Sequence, residues 1–104
     1  MSIKSILAIT DAEAAQPSSF VLNQNFPNPF NASTMIEYRL PKAGDARIEI
    51  YNARGQLVEV LADRWHAAGS HMVTWDAGQR ASGTYFYRFL ASGFQESRKM
   101  LLVR

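Results

Sequence analysis

The chain has 104 residues, which suffices for one hydrophobic core but is short for two. Apolar residues make up 47% and charged residues 19%, a balance typical of a folded domain rather than a disordered segment. The formal net charge is only +2 and the arginines do not cluster, which argues against nucleic-acid binding. Because there is no cysteine, the chain cannot hold a disulfide scaffold, a thiolate zinc site or a cysteine nucleophile.

Residues 1–19 read as an N-terminal tail and linker. No run approaches the ~18 apolar residues of a transmembrane helix, so no transmembrane segment is expected. The short apolar run also differs from a signal peptide, because Asp11 and Glu13 fall where a cleavage region would be neutral. Segment 3–9 is instead expected to dock by strand addition, within the chain or in a homo-oligomer. Its apolar side chains are Ile3, Ile6, Leu7 and Ile9.

From Phe20 onward, short apolar runs recur roughly every 8–12 residues between Gly, Pro, Asn and Asp. Alternation with period two is clear at residues 34–40 and 46–51, and no segment is a convincing helix. The pattern predicts an all-β, immunoglobulin-like antiparallel β-sandwich of about seven strands over residues 20–104, with segment 3–9 as an extra strand where it docks. The predicted strands are 20–22, 34–40, 46–51, 56–61, 70–75, 84–91 and 97–103.

Several residues are expected to fix turns and core. Pro27 and Pro29 exclude both helix and central strand, so their segment should be a stiff, kinked crossing. Gly55 should supply the positive φ of a short hairpin loop. Gly83 and Tyr85 have the spacing of a tyrosine corner, in which the hydroxyl bonds to the preceding backbone. The other expected structural residues are Asn25, Asn28, Phe30, Trp75 (a core anchor), Asp76 and Tyr87 (an inward position).

The ionisable residues form no catalytic constellation. His66 and His71 lack a third metal ligand nearby in sequence, so a structural or solvent-facing role is favoured. Asp76 precedes Ala77-Gly78 and suits an Asx turn better than general-base work. Glu59 and Asp63 would lie about 13 Å apart on one face of a strand, too far for a working pair. The sequence therefore predicts a protein that is not an enzyme and needs no metal or other cofactor.

The aromatic side chains leave one binding function open. Tyr51, Trp65, Phe86 and Phe94 are the ones expected to be exposed, and stacked rings on a sandwich face can bind sugars. They fall on different strands or loops, which argues against one common platform. A small carbohydrate-binding module is therefore the lesser alternative.

Five stretches of the chain, taken together and in order, resemble one family. The stretches are 22–31 (LNQNFPNPFN), 34–41 (TMIEYRLP), 73–76 (VTWD), 81–88 (ASGTYFYR) and 98–104 (RKMLLVR). Through them the chain is similar over residues 20–104 to the type A C-terminal sorting domains of the type IX secretion system, which end secreted proteins of the Bacteroidota. A related fold and a similar Ser-Gly-Thr-Tyr pattern occur in the immunoglobulin-like part of flagellar hook-capping proteins.

The resemblance implies a non-catalytic sorting or attachment module carried by an exported protein. It implies passage through the periplasm, outer-membrane secretion proteins as partners, and a final location that is secreted or on the cell surface. It also implies that recognition involves the basic, apolar end of the last strand. The residues of that end are Lys99, Met100, Leu101, Leu102, Val103 and Arg104.

One departure from the family keeps a second function open. The family's domain usually follows a large enzyme or adhesin, whereas nineteen residues precede residue 20 here. Both an excised domain and a small stand-alone protein fit that length. As a stand-alone protein, the chain would be a structural subunit that assembles through β-edges or strand exchange into a surface fibre or cap.

Overall fold

Seven β-strands form the regular structure of the computed structural model, which describes residues 19–104. That part of the chain contains no helix, and therefore none that is long and apolar enough to cross a membrane. The predicted segment 3–9, with Ile3, Ile6, Leu7 and Ile9, lies outside the described residues. The strands are β1 (Val21–Leu22), β2 (Ser33–Leu40), β3 (Gly44–Asn52), β4 (Leu57–His66), β5 (Gly69–Asp76), β6 (Gly83–Ala91) and β7 (Phe94–Leu102).

The strands form two antiparallel sheets that pack as a sandwich. One has three strands in the order β1-β2-β5, and the other has four in the order β4-β3-β6-β7. Hairpins join β3 to β4 and β6 to β7, while the chain changes sheet after β2, after β4 and after β5. The prediction of an all-β, immunoglobulin-like sandwich is confirmed.

Alternating side chains of both sheets fill the core between them. In β3, Ala46, Ile48 and Ile50 are at most 3% exposed, as period-two alternation predicts. The bulkiest side chains of the core are aromatic, which suits a chain without a disulfide. The largest fully buried side chains are Trp75, Tyr38, Tyr87, Phe30 and Phe89.

Two strands extend at one end by three residues or more beyond the sequence prediction. β4 continues past residue 61 to His66, with Ala62 and His66 buried and the three residues between them exposed. β7 begins at Phe94. The Phe94 ring was expected to be exposed, but it is partly buried. It stacks on Phe20, with ring centroids 5.0 Å apart, and meets the core ring of Phe89 at 5.6 Å.

Candidate recognition surface on the last strand

β7 is an edge strand whose two faces have different roles. It pairs with β6 from Ala91↔Phe94 to Gly83↔Leu102. Met100 and Leu102 point inward and are each 1% exposed. Lys99, Leu101 and Val103 point outward, and the last two are 40% and 48% exposed. Of the six residues implied by the resemblance, two therefore build the core and the others, including exposed Arg104, are available to a partner.

The free edge of β7 is covered near its end by residues 24–31, here named the crossing segment. The Phe30 amide donates to the Leu101 carbonyl at 2.9 Å, and the Phe30 carbonyl accepts from the Val103 amide at 2.9 Å. The side-chain oxygen of Asn28 accepts from the Leu101 amide at 3.0 Å. Gln24 Nε2 donates to the Lys99 carbonyl at 2.8 Å. The backbone edge is thus satisfied from the Lys99 carbonyl to the Val103 amide.

Buried polar contacts hold the crossing segment in place. Asn25 is 2% exposed and its amide nitrogen donates to Thr34 Oγ1 at 3.0 Å and to the Pro27 carbonyl at 3.1 Å. The Thr34 hydroxyl also donates to the Pro27 carbonyl, at 2.8 Å. Pro27 and Pro29 both follow cis peptide bonds. At the far end, the Phe30 ring lies 5.8 Å from that of Trp75, so the segment connects the β7 edge to the core.

The last residue contacts the loop between β5 and β6. The Arg104 amide donates to Ser82 Oγ at 3.1 Å, and Arg104 Nε donates to the Arg80 carbonyl at 2.8 Å. The Arg80 guanidinium in turn donates to the Val58 carbonyl at 3.1 Å and lies 3.8 Å from a Glu59 carboxylate oxygen. The end of the chain is therefore tied to β4 through this loop.

The predicted tyrosine corner lies on β6, where Tyr85 is opposite Met100 of β7. The Tyr85 hydroxyl donates to the Ala81 carbonyl at 2.7 Å, and Tyr85 is 7% exposed. Gly83 has φ +148, and a side chain would be strained at that angle. Trp75 is fully buried, packs edge-on against Tyr85 at 5.2 Å, and donates from Nε1 to Glu59 at 2.8 Å.

A charged cluster lies on the outer face of the four-stranded sheet and was not predicted from the sequence. Period-two alternation with Ile48 and Ile50 puts Glu49 on the outer face of β3, yet it is only 7% exposed. It accepts from Arg47 Nε at 2.6 Å, from the Tyr51 hydroxyl at 2.6 Å and from Arg88 Nε at 3.1 Å. Burial alone would raise the pKa of Glu49, but the hydrogen bonds from Tyr51, Arg47 and Arg88 outweigh it and lower that pKa. The alternation of residues 47, 49 and 51 was the only signal available in sequence.

The two histidines have structural contacts, as expected. His66 is 1% exposed, its Nδ1 lies 2.8 Å from the Arg64 carbonyl, and its Nε2 lies 2.7 Å from the Tyr38 hydroxyl. Burial lowers the pKa of His66, so the neutral ring is favoured. The His71 ring stacks on Tyr38 at 5.7 Å and meets His66 at 4.7 Å. Residues 19–104 contain no group of three side chains suited to a metal ion.

The three carboxylates examined in sequence also have structural roles. Asp76 Oδ1 accepts from the Gly78 amide at 3.0 Å, which is the expected Asx turn. Glu59 and Asp63 were expected on one face of β4, but a bulge at Leu61 puts them on opposite faces. Glu59 turns inward to Trp75, whereas Asp63 turns outward and pairs with Arg47 at 2.8 Å.

Comparison with known proteins identifies the family. The model of the family described as "Secretion system C-terminal sorting domain" matches residues 24–103. A search of curated proteins found no match. Dimeric latent PorU from Porphyromonas gingivalis has a similar region, with a TM-score of 0.63 and 22% identity over 81% of this chain and 9% of PorU. PorZ, a surface component of the type-IX secretion system of Porphyromonas gingivalis, gives a TM-score of 0.56 and 17% identity over 88% of this chain and 12% of PorZ.

The family match spans the crossing segment and all of β7. The similar solved structures share the fold, and this chain corresponds to about a tenth of their length. The resemblance seen in sequence is thereby confirmed. The chain belongs to the family of secretion system C-terminal sorting domains.

Proposed function

We propose that this domain directs an exported passenger across the outer membrane through the type IX secretion machinery, without catalysing a reaction. The family match over residues 24–103 carries the proposal, since the family supports a sorting role and export to the surface or beyond. PorU and PorZ add support at the level of fold alone. Partner proteins of the outer membrane and a final location outside the cell follow from that role.

The recognition element in this proposal is the end of β7 with Arg104. Its outward side chains are apolar and basic, and they stand on a strand fixed by β6 on one side and the crossing segment on the other. A rigid strand presents side chains at fixed spacing, which lowers the entropy lost on binding. Met100 and Leu102 stabilise the fold in this interpretation, while Lys99, Leu101, Val103 and Arg104 contact the partner.

A reporter fusion tests this proposal. The full chain is fused to the C-terminus of a periplasmic reporter in a type IX-competent bacterium, and surface reporter is measured by accessibility to added protease. The intact fusion should reach the surface. Deletion of residues 99–104 should leave it in the periplasm, and so should deletion of residues 103–104, which keeps the core residues Met100 and Leu102. Surface delivery by both truncated fusions would overturn the proposal.

A stand-alone subunit that assembles through its edges is the alternative. The crossing segment already occupies the end of the β7 edge, which reduces the backbone available there for assembly. Sugar binding has less support, because Trp65 lies on β4 apart from the neighbouring rings of Tyr51 and Phe86, and Phe94 packs on the core. Native mass spectrometry and a glycan array would test these two alternatives.

A further inference from the structure

We propose that the secretion partner binds the outer face of the four-stranded sheet through side chains, and does not add a strand to the end of the β7 edge at residues 99–103. The inference rests on the proposed function and extends the contact beyond β7 to β6 and β3. The surface concerned is named the outer patch. It consists of Tyr51, Phe86, Lys99, Leu101 and Val103.

The end of the β7 edge is a poor site for strand addition, because its backbone groups from the Lys99 carbonyl to the Val103 amide are already bonded. An added strand would need the Leu101 amide and carbonyl and their neighbours as partners. Those groups are held by Asn28 and Phe30, and the Lys99 carbonyl is held by Gln24. A partner would have to displace the crossing segment, which is anchored by buried Asn25. A partner that contacts the outward side chains of β7 does not need to displace the crossing segment.

Strand register places the outer patch on one continuous surface. Tyr51 of β3 lies opposite Phe86 of β6, and Phe86 lies opposite Lys99 of β7. Leu101 is two residues beyond Lys99, so it points to the same face, and Val103 follows by the same rule. Tyr51 and Phe86 are half-buried, whereas Leu101 and Val103 are well exposed. The patch therefore combines a fixed aromatic base with free apolar side chains.

A shallow groove borders the outer patch and could accept one side chain. It has a volume of about 360 Å³ and is lined by Tyr51, Gly55, Phe86, Arg88 and Ser97. The Arg88 guanidinium lies 4.8 Å from the centre of the Tyr51 ring and is also paired with Glu49. The groove thus has aromatic walls and a cation whose charge is already matched, which suits an apolar or aromatic side chain.

The charge that is left unmatched indicates the polar part of the partner. Arg47 and Arg88 are paired with Glu49 and Asp63 on this face. Neither Lys99 nor Arg104 lies in an ion pair with any residue in the described range 19–104. A carboxylate opposite Lys99 would therefore meet an uncompensated cation. The occupant we infer is a protein segment with an apolar side chain for the groove and a neighbouring Asp or Glu for Lys99.

Point variants in the full-chain reporter fusion separate the face from the edge. Lys99→Glu and Phe86→Thr change the outer patch, and Met72→Ser changes an exposed apolar side chain on the outer face of the other sheet. Each patch variant should lower the surface fraction about tenfold, as expected for loss of an interface anchor. The Met72→Ser variant should reach the surface as well as the intact chain does. The Lys99→Arg variant should retain most of the surface fraction, because it keeps the positive charge. Thermal unfolding of each purified fusion checks that the domain is folded.

The outcomes distinguish this inference from the proposed function. If the intact fusion fails to reach the surface, both are wrong. If it reaches the surface and folded Lys99→Glu and Phe86→Thr variants do so equally well, the outer patch is wrong while the sorting role stands. Edge addition would instead be indicated if Asn28→Ala, which exposes the Leu101 amide, increased surface delivery. The inference predicts no increase for Asn28→Ala.

Discussion

In this chain without cysteine, single hydrogen bonds join the two sheets. The Tyr87 hydroxyl on β6 donates to the Asn23 carbonyl beyond β1 at 2.6 Å, and burial raises the pKa of Tyr87 to about 12. Trp75 on β5 bonds Glu59 on β4, and Tyr38 on β2 bonds His66 on β4. No buried side-chain nitrogen or oxygen within residues 19–104 lacks a partner. These bonds make the core specific as well as apolar.

Removing one such hydroxyl should destabilise the domain measurably. Tyr85→Phe keeps the ring but leaves the Ala81 carbonyl without its hydrogen bond. We expect the free energy of unfolding in urea to fall by about 1–2 kcal/mol. Equal stability of the two proteins would show that the tyrosine corner contributes nothing to the fold.

His66 should make the domain sensitive to acid. Its pKa is lowered in the folded state by burial, with Arg64 and His71 nearby, so the unfolded chain binds a proton at higher pH than the folded one. The stability from this group is present above its ordinary pKa of 6.5 and is lost as the pH falls below that value. Urea unfolding at pH 7.5 and pH 5 should show the decrease.

A neutral side chain provides the control for that titration. His66→Gln has no proton to gain, so its stability should change less between the two pH values than that of the wild type. An equal or larger loss in His66→Gln would assign the acid sensitivity to other groups.

Local spacing made some of these residues predictable, and cross-strand contacts made others unpredictable. Tyr85 and Asp76 act within a few residues of their own position, so their roles could be recognised in sequence. The burial of Glu49 depends on Arg88, thirty-nine residues away and on another strand. The residue pattern of neither strand shows that these two side chains meet.

At the scale of elements, the crossing segment and β7 behave as one unit. Backbone groups of alternate residues in an edge strand point away from its neighbour. The backbone groups of Leu101 in β7 and of Val103 just beyond it bond to the crossing segment. The backbone groups of Gln95 and Ser97 face the open part of the same edge. One strand should therefore show two levels of protection.

Hydrogen exchange followed by NMR measures this difference. The amides of Leu101 and Val103 should exchange more slowly than those of Gln95 and Ser97. Asn28→Ala should speed exchange at Leu101, because it removes the acceptor, while Asn31→Ala at an exposed neighbouring position should not. Uniform exchange along the strand would contradict the closed edge.

The β3–β4 loop gives a second test at this scale. Gly55 has φ +83, which a β-branched residue adopts only with strain, and open space surrounds the position. Gly55→Val should therefore cost about 1 kcal/mol or more through backbone strain rather than a clash. Unchanged stability in urea would show that the loop can adopt another conformation.

Strands were predictable where hydrophobic alternation was strong and were cut short where it was weak. β2 and β3 were assigned nearly correctly, because every second residue is apolar. β4 was ended at residue 61, because Asp63 and Arg64 read as a bend although they are exposed strand residues. The closure of the β7 edge by residues seventy positions earlier follows from tertiary structure alone.

At the scale of the molecule, the residues that stabilise the sandwich differ from those proposed to bind the secretion partner. Inward residues of β7 complete the core, the crossing segment satisfies its backbone, and the outward residues stay available. In the proposed sorting role, a surface that depends only on the domain's own fold would suit attachment to different passengers.

The most direct measurement compares one full-chain reporter fusion in two strains, one with a complete type IX machinery and one without its outer-membrane translocon. Reporter exposed to added protease is quantified against reporter released from the periplasm. We predict surface exposure in the first strain and periplasmic retention in the second. The same distribution in both strains would contradict the claim that this domain is a type IX sorting signal.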